Sequence, residues 1–345
     1  MDSQPFFIYL QDQSDIVVQV ILGVESTAHT FGASIVVDGT ICSNVTATYT
    51  TDQGGMIPFE VADHHESNWY DVVSDALRKA DVTMSEVDSV AFSQGPGIGH
   101  ALRIGATVAK SLAVRTGASL IPVNHCIAHL EIGRHQSSCQ DPVLLYVSGA
   151  NTQVVAYESG RYRVFGETLD MGLGNFLDSV AREFDYGFPG GPRIEEAAKK
   201  RERLVELPYT VKGMDISLGG LFTHVKRLYH NEGVEKEVLA NSVQETVFAM
   251  ITEVAERALA HTQKDELVLG GGVACNQRLH RMVAEMCEAR SATVSRPANE
   301  YLVDNAAMIG VAGAKLSQAD VFVPVGEAQI LPGQRTDQVA IPYRY

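Results

Sequence analysis

The sequence predicts an α/β protein of two duplicated lobes. Three observations predict it: a strand, turn and strand opening that occurs twice, an alternation of strands and helical segments in each half, and a length of 345 residues, which exceeds one ordinary core.

The first opening is Val20-Ile21-Leu22-Gly23-Val24, an apolar run of the buried-strand kind. A small polar turn follows, and Ala33-Ser34-Ile35-Val36-Val37 then runs into Asp38-Gly39, a strong hairpin signal. The plan recurs in Val143-Leu144-Leu145-Tyr146-Val147, the loop Ser148-Gly149-Ala150-Asn151-Thr152, the strand Gln153-Val154-Val155-Ala156-Tyr157 and the turn Ser159-Gly160. Between the hairpins we expect an amphipathic helix near Asp71 to Ala80, a strand at Ser89-Val90-Ala91-Phe92, a long helix from Leu102 to Arg115 and a strand up to Val123. Residues 170–235 are richer in charge and glycine, and Phe188-Pro189-Gly190-Gly191-Pro192 is expected to break any helix, so this stretch reads as an insertion in the second lobe. A long helix near Val238 to His261 precedes the strand Glu266-Leu267-Val268-Leu269 and the loop Gly270-Gly271-Gly272. In the helix after it, about Gln277 to Ala289, Leu279, Met282, Val283 and Met286 mark a core face. The expected domains are an N-terminal extension (1–19), a first lobe (20–141) to which a helix at about 303–317 returns, a second lobe (142–302) and a tail (318–345).

Composition is that of a soluble globular chain, with 45% hydrophobic and 20% charged residues. The five cysteines are odd in number and have no C-x-x-C spacing, so neither a disulfide framework nor a zinc knuckle is suggested, and a reducing cytoplasm fits. No signal peptide or membrane span is expected. A net charge of −15 argues against non-specific affinity for nucleic acid over the whole surface. The basic run Lys199-Lys200-Arg201 is interleaved with Glu195, Glu196 and Glu202, the pattern of a solvated helix face.

His125-Cys126-Ile127-Ala128-His129 carries the sharpest chemical signal. Two imidazoles four residues apart on a helix stand one above the other, as two metal ligands do. Asn124 is a suitable N-cap, so the pair projects from a rigid helix start. Cys126 takes the place of the carboxylate that a metalloprotease H-E-x-x-H needs. The alternative is that one histidine caps or packs and the other is solvated. Glycine-rich loops end several strands, where backbone N–H groups can approach a phosphate. Ser148-Gly149-Ala150-Asn151-Thr152 suits phosphate oxygens, and Gly270-Gly271-Gly272 is expected to open a helix whose N-terminus favours an anion or a closely packed purine. A tight structural turn is the other explanation for each loop.

Six ordered motifs resemble one family. Gly23-Val24-Glu25-Ser26-Thr27-Ala28-His29, Ser93-Gln94-Gly95-Pro96-Gly97, His125-Cys126-Ile127-Ala128-His129-Leu130, Tyr146-Val147-Ser148-Gly149-Ala150-Asn151-Thr152, Gly270-Gly271-Gly272-Val273-Ala274-Cys275-Asn276 and Asp304-Asn305-Ala306-Ala307-Met308 are similar to those of the KEOPS/TsaD tRNA threonylcarbamoyltransferases, formerly called O-sialoglycoprotein endopeptidases. The first two motifs look like the archaeal or eukaryotic branch. The duplicated hairpin itself resembles the actin, Hsp70 and sugar-kinase superfamily, which implies a nucleotide and metal cleft between the lobes.

The resemblance implies transfer of a threonylcarbamoyl group from threonylcarbamoyl-adenylate to the exocyclic amine of the adenosine just 3′ of the anticodon, in tRNAs reading codons that begin with A. It implies His125, His129, Asp304 and Tyr146 as ligands of one divalent ion, iron(II) first and zinc second. It implies nucleotide contacts at Tyr146, Val147, Ser148, Gly149, Ala150, Asp178, Gly191, Glu195 and Asn276. It implies tRNA as partner, together with KEOPS-type subunits that include a small atypical kinase or ATPase and a dimerisation subunit. Asp304 also precedes a helical run, where an N-cap is the alternative, and Tyr146 ends a buried strand, where a packed ring is the alternative. Ala150 stands where a second glycine is usual, and Asp215-Ile216-Ser217-Leu218-Gly219-Gly220 replaces the usual Ser-Phe-Ser-Gly. Two other functions fit the same scaffold: a small-molecule kinase or carbamoyltransferase, and a non-catalytic nucleotide-binding subunit.

Overall fold

A computed structural model describes residues 18–51 and 57–344, so the expected N-terminal extension lies outside the described residues except for its last two. In the first half, β1 (Val20–Glu25), β2 (Thr30–Val37) and β3 (Thr40–Thr48) precede α1 (Pro58–Ala80), β4 (Ser89–Gly95), α2 (Gly99–Thr116), β5 (Ser119–Asn124) and α3 (His125–His135). In the second, β6 (Val143–Val147), β7 (Thr152–Glu158) and β8 (Arg161–Glu167) precede α4 (Leu173–Glu183), α5 (Gly190–Ala198) and a small pair, β9 (Val211–Lys212) and β10 (Asp215–Ile216). Then come α6 (Gly219–His230), α7 (Lys236–Thr262), β11 (Glu266–Gly270), α8 (Gln277–Ala289), β12 (Thr293–Ser295), α9 (Asn299–Leu302) and α10 (Ala306–Gln318).

The two large sheets have the same plan. One runs β3-β2-β1-β4-β5 and the other β8-β7-β6-β11-β12. In each, the first three strands form an antiparallel meander and the last two lie parallel to the lobe's first strand. Asp38-Gly39 (φ 47° and 78°) and Ser159-Gly160 (φ 53° and 80°) are both left-handed, as a two-residue hairpin turn requires.

Two expectations about helices need correction. α1 begins at Pro58 rather than near Asp71, because Val61 and His65 continue its buried face through a stretch that looks polar in sequence. Phe188-Pro189-Gly190-Gly191-Pro192 does not break a helix but starts α5, with Pro192 in the first turn, where its missing N–H has no intrahelical partner to lose.

Both faces of the first sheet are covered. Leu22, Val24, Val90 and Phe92 pack under α1 and α2, while Ile21, Ala91, Ile121 and Val123 meet Met308, Ile309 and Ala312 of α10. α10 lies close on β1: a Cβ at Gly23 would come within 2.6 Å of the Gly310 nitrogen, so only glycine allows this approach. α3 is shared between the lobes. Its Ala128 and Ile132 join the first-lobe cluster, and its Ile127 and Leu130 pack with Leu144, Tyr146 and Val155 of the second sheet. A helix apolar on several sides is a buried one, and here it places His125 and His129 on the seam. The final segment packs Val323, Val325 and Ile330 against the first lobe and then Ile341 against the second. Among the described residues no helix is long and apolar enough to cross a membrane.

A candidate metal centre and nucleotide shelf

The histidine pair is built by local chemistry. The Asn124 side chain accepts from the Ile127 nitrogen at 3.1 Å, capping α3 as expected. Both imidazoles are then buried, 5% and 1% exposed, which removes the reading in which one is solvated. Asp304 is brought to them from far along the chain. Its own capping alternative fails, because the cap of α10 is Asn305, whose side chain accepts from the Met308 nitrogen at 3.0 Å. The Asp304 carboxylate is therefore free to face α3, with Oδ1 3.5 Å from His125 Nε2 and 3.2 Å from His129 Nε2.

These three residues fit a metal ion. Their ligand atoms all lie within 4.8 Å of one another. Bonds of about 2.0–2.2 Å at tetrahedral angles put neighbouring ligand atoms about 3.4 Å apart, close to both Nε2 to Oδ1 separations. The Tyr146 ring is buried against His129, centroid to centroid 5.0 Å. Imidazole, carboxylate and phenol, with no thiolate, suit a first-row ion such as iron(II) or zinc.

Glu25 completes the arrangement and had no role in the sequence reading. It ends β1 fully buried, 3.1 Å through Oε2 from His125 Nδ1. Its other oxygen accepts from the Thr27 nitrogen at 2.6 Å and the Thr27 hydroxyl at 2.5 Å. Holding Nδ1 turns Nε2 toward Asp304, the outer carboxylate arrangement typical of metal-bound histidine. An acid ending an otherwise apolar strand was the signal for it. His129 Nδ1 finds no such partner among the described residues.

Charge follows from this packing. Burial opposes protonation of His125, yet the Glu25 and Asp304 carboxylates outweigh it and hold the imidazole well above its usual range. His129 shifts down, through burial and the neighbouring His125. Burial would raise Asp304, but the two imidazoles hold it well below the usual carboxylate range. Burial, with Cys126 and Asp304 nearby, pushes the Tyr146 phenol well above its usual value.

The expected nucleotide residues lie on the second lobe. Val147 is buried, Ser148 half-buried, and Gly149 and Ala150 exposed. The Ser148 and Gly149 carbonyls accept from Gly174 and Asn175 at the start of α4, at 3.0 and 2.9 Å. Asp178 accepts from the Gly190 nitrogen at 2.7 Å, and burial raises its pKa. Apart from its own helix and chain neighbours, no atom of the described residues lies within 4 Å of where a Gly191 Cβ would sit. Glu195 accepts from the Gln277 nitrogen at 3.2 Å and pairs with Lys199 at 3.3 Å. Asn276 is buried, caps α8 and donates to Gln244 at 3.0 Å. No hydrogen bond or ion pair joins Asp178 or Glu195 to the triad among the described residues.

The glycine loop differs from expectation. Gly270-Gly271-Gly272 leads into a single 3-10 turn, Gly272–Cys275, and the helix beyond it is closed by Asn276. Gly271 has φ 87°, and a Cβ there would be 2.4 Å from the Val147 carbonyl oxygen, so the loop packs tightly beneath the second lobe's first strand. Four of the basic side chains pair with acids, Lys199 with Glu195, Arg201 with Glu235 (3.0 Å), Lys226 with Glu183 (3.0 Å) and Arg227 with Glu232 (3.2 Å).

The architecture is one of two α/β lobes of like topology with buried metal-competent side chains on their seam. A sequence profile described as TsaD, tRNA N6-adenosine threonylcarbamoyltransferase, matches residues 40–311. A Thermofilum pendens protein of that name is 50% identical over 94% of this chain and 97% of its own length. A probable bifunctional tRNA threonylcarbamoyladenosine biosynthesis protein of Methanocorpusculum labreanum is 48% identical over 94% of this chain, which spans 61% of that longer protein. The chain belongs to the tRNA N6-adenosine threonylcarbamoyltransferase family. Its fold is also like that of T. kodakarensis HypF, with TM-score 0.63 at 15% identity over 89% of this chain and 49% of the other.

Proposed function

We propose that this chain transfers the threonylcarbamoyl group of threonylcarbamoyl-adenylate to the exocyclic amine of the adenosine 3′ of the anticodon in tRNAs reading codons that begin with A. One observation carries the reading: in a chain of this family, His125, His129 and Asp304 converge on one buried point beside Tyr146. Family membership disfavours the metabolite-kinase and scaffold alternatives.

His125, His129, Asp304 and Tyr146 would hold one divalent ion, iron(II) before zinc, and Glu25 would orient His125. The ion supplies Lewis-acid polarisation of the carbamoyl carbonyl and adenylate phosphate when bound. The lobes form an actin-like pair with the nucleotide between them, the Ser148-Gly149-Ala150 backbone receiving phosphate and Val147 forming the floor beneath it. Asp178 and Glu195 each have a carboxylate oxygen to spare for ribose hydroxyls. Gly191 leaves open space for the nucleoside, and Asn276, already committed to capping, shapes its wall. In the reaction a bond forms from the amine nitrogen to the carbamoyl carbon, the bond from that carbon to phosphate oxygen breaks, AMP leaves, and the amine gives one proton to solvent. The site's contribution is mainly to hold both reactants in line and dry.

The chain is acidic overall and Lys199 and Arg201 of its basic run are paired with acids, so tRNA would be gripped with help from KEOPS-type partners, an atypical kinase or ATPase and a dimerisation subunit, in the cytoplasm. The test is transfer of labelled threonine from threonylcarbamoyl-adenylate into unmodified tRNA, with the accessory subunits supplied. Wild type should incorporate label, and folded His125→Ala and Asp304→Ala should lose it by at least about a thousandfold. Full incorporation by either variant would sink the metal reading.

A further inference from the structure

Glu131 is completely buried and plays no part in the site just described. It lies on α3 two residues past His129, so its side chain leaves the helix about 200° away, on the far side. Three elements meet at its carboxylate, and a fourth reaches it through one of them. Lys315 of α10 forms an ion pair with it, Arg134 of α3 donates at 2.9 Å, and the Tyr162 hydroxyl of β8 donates at 2.6 Å. From the tail, Arg344 donates to the Tyr162 oxygen at 2.9 Å and to Asp141 at 2.8 Å, with its guanidinium 4.2 Å over the Tyr157 ring.

Net stability is a weak reason for such a cluster, because a buried ion pair gains little over apolar packing of the same volume. What it supplies is direction, since charge-assisted hydrogen bonds fix geometry. The elements it joins are those that carry the ligands. α3 holds His125 and His129, Asp304 stands just ahead of α10, and Tyr146 shares a sheet with Tyr162.

We propose that Glu131 is a positioning residue for the metal centre: through Lys315, Tyr162 and Arg344 it sets the register of α3 against α10 and the second sheet, so that His125, His129, Asp304 and Tyr146 converge. This inference rests on the metal reading above.

The experiment is zinc affinity of the full chain, measured by competition with a chromogenic chelator, alongside thermal unfolding. Folded Glu131→Gln should bind zinc about 10- to 100-fold more weakly. Tyr162→Phe leaves the ion pairs in place and should weaken binding in the same direction by a smaller factor. The apolar pair Glu131→Met with Lys315→Met is the discriminating variant. It should recover wild-type unfolding temperature while its zinc affinity stays low, an outcome a merely structural cluster would not give. Should Glu131→Gln fail to fold, the other two variants decide. Wild-type affinity in Tyr162→Phe, or in the apolar pair, overturns the inference. A wild-type chain that binds no zinc, or a His129→Ala variant that binds it unchanged, overturns the metal reading and this inference with it.

Discussion

The two lobes share a strand order, yet the loops after their first strands have opposite character. After β1, Glu25, Ser26 and Thr27 are all but sealed from solvent, and the Glu25 side chain folds back on Thr27 before reaching His125. His65 of α1 supports this loop from behind, its Nε2 donating to the Ala28 carbonyl at 2.9 Å. After β6, Ser148 is half-buried and Gly149 and Ala150 are exposed; the Ser148 hydroxyl bonds the backbone of Asn151, and the Ser148 and Gly149 carbonyls accept from the start of α4. Duplication thus provides two equivalent loops, and burial with charge decides their use. The first becomes the outer support of an imidazole, and the second stays an open stretch of exposed backbone.

The largest effect should come from the closed loop. Glu25→Gln keeps the volume and an acceptor for Thr27 but removes the charge facing His125. Divalent-ion affinity, measured by chelator competition, should fall toward 100-fold, about 3 kcal/mol. Gly149→Ala in the open loop, where a Cβ would meet only the Asn175 side chain at 3.5 Å, should leave ion affinity alone and raise KM for the adenylate. Equal losses of ion affinity in both variants would break the comparison.

A smaller effect should appear as acid sensitivity of the same loop's support. Burial, with His64 beside it, lowers the His65 pKa to about 4. The folded pKa is depressed, so stability is complete above the unfolded value near 6.5 and is lost as pH falls from there toward 4, because only the unfolded chain takes the proton. Between pH 7 and pH 5 the loss should be about 2 kcal/mol. Urea unfolding of wild type and His65→Gln at several pH values measures it, since the glutamine amide can still donate to Ala28 while carrying no titration. Parallel stability curves for the two proteins would show that His65 does not titrate this way.

Signals confined to a few residues were legible in the sequence. The two hairpin turns, the Asn124 cap and the i, i+4 histidine pair each depend on neighbours in the chain, and the structure has them where expected. Long-range convergence was legible only through the family resemblance, which implied Asp304 and Tyr146 beside the two histidines, and not from the local pattern. Whether Asp304 capped a helix or faced the histidines turned on Asn305 taking the cap, and on α10 folding back across β1 through Gly23 and Gly310. Glu25 meets His125 across 100 residues, and Arg344 meets Tyr162 across 182. Neither pairing has a local periodicity to betray it, because the sheet order that creates it is a property of the whole chain. The start of α1 was missed for the opposite reason, a local one. His65 is a core residue there, and an imidazole reads as polar in a pattern of apolar positions.

The smallest expected effect lies in the open loop, at Ala150, where the family pattern has a glycine. The methyl is exposed and its loop is held by backbone hydrogen bonds at Ser148 and Gly149, so Ala150→Gly removes no packing from the core. The cost is backbone entropy, roughly 0.5–1 kcal/mol. The gain is closer approach of a phosphate to the loop's N–H groups, and KM for the adenylate should fall by about 2- to 3-fold, a few tenths of a kcal/mol. Ion affinity should not change, because no hydrogen bond joins Ala150 to Glu25, Thr27 or His125 among the described residues. A change in ion affinity with no change in KM would mean that the shelf and the metal centre are one rigid unit, and that the division of labour between the two loops is wrong.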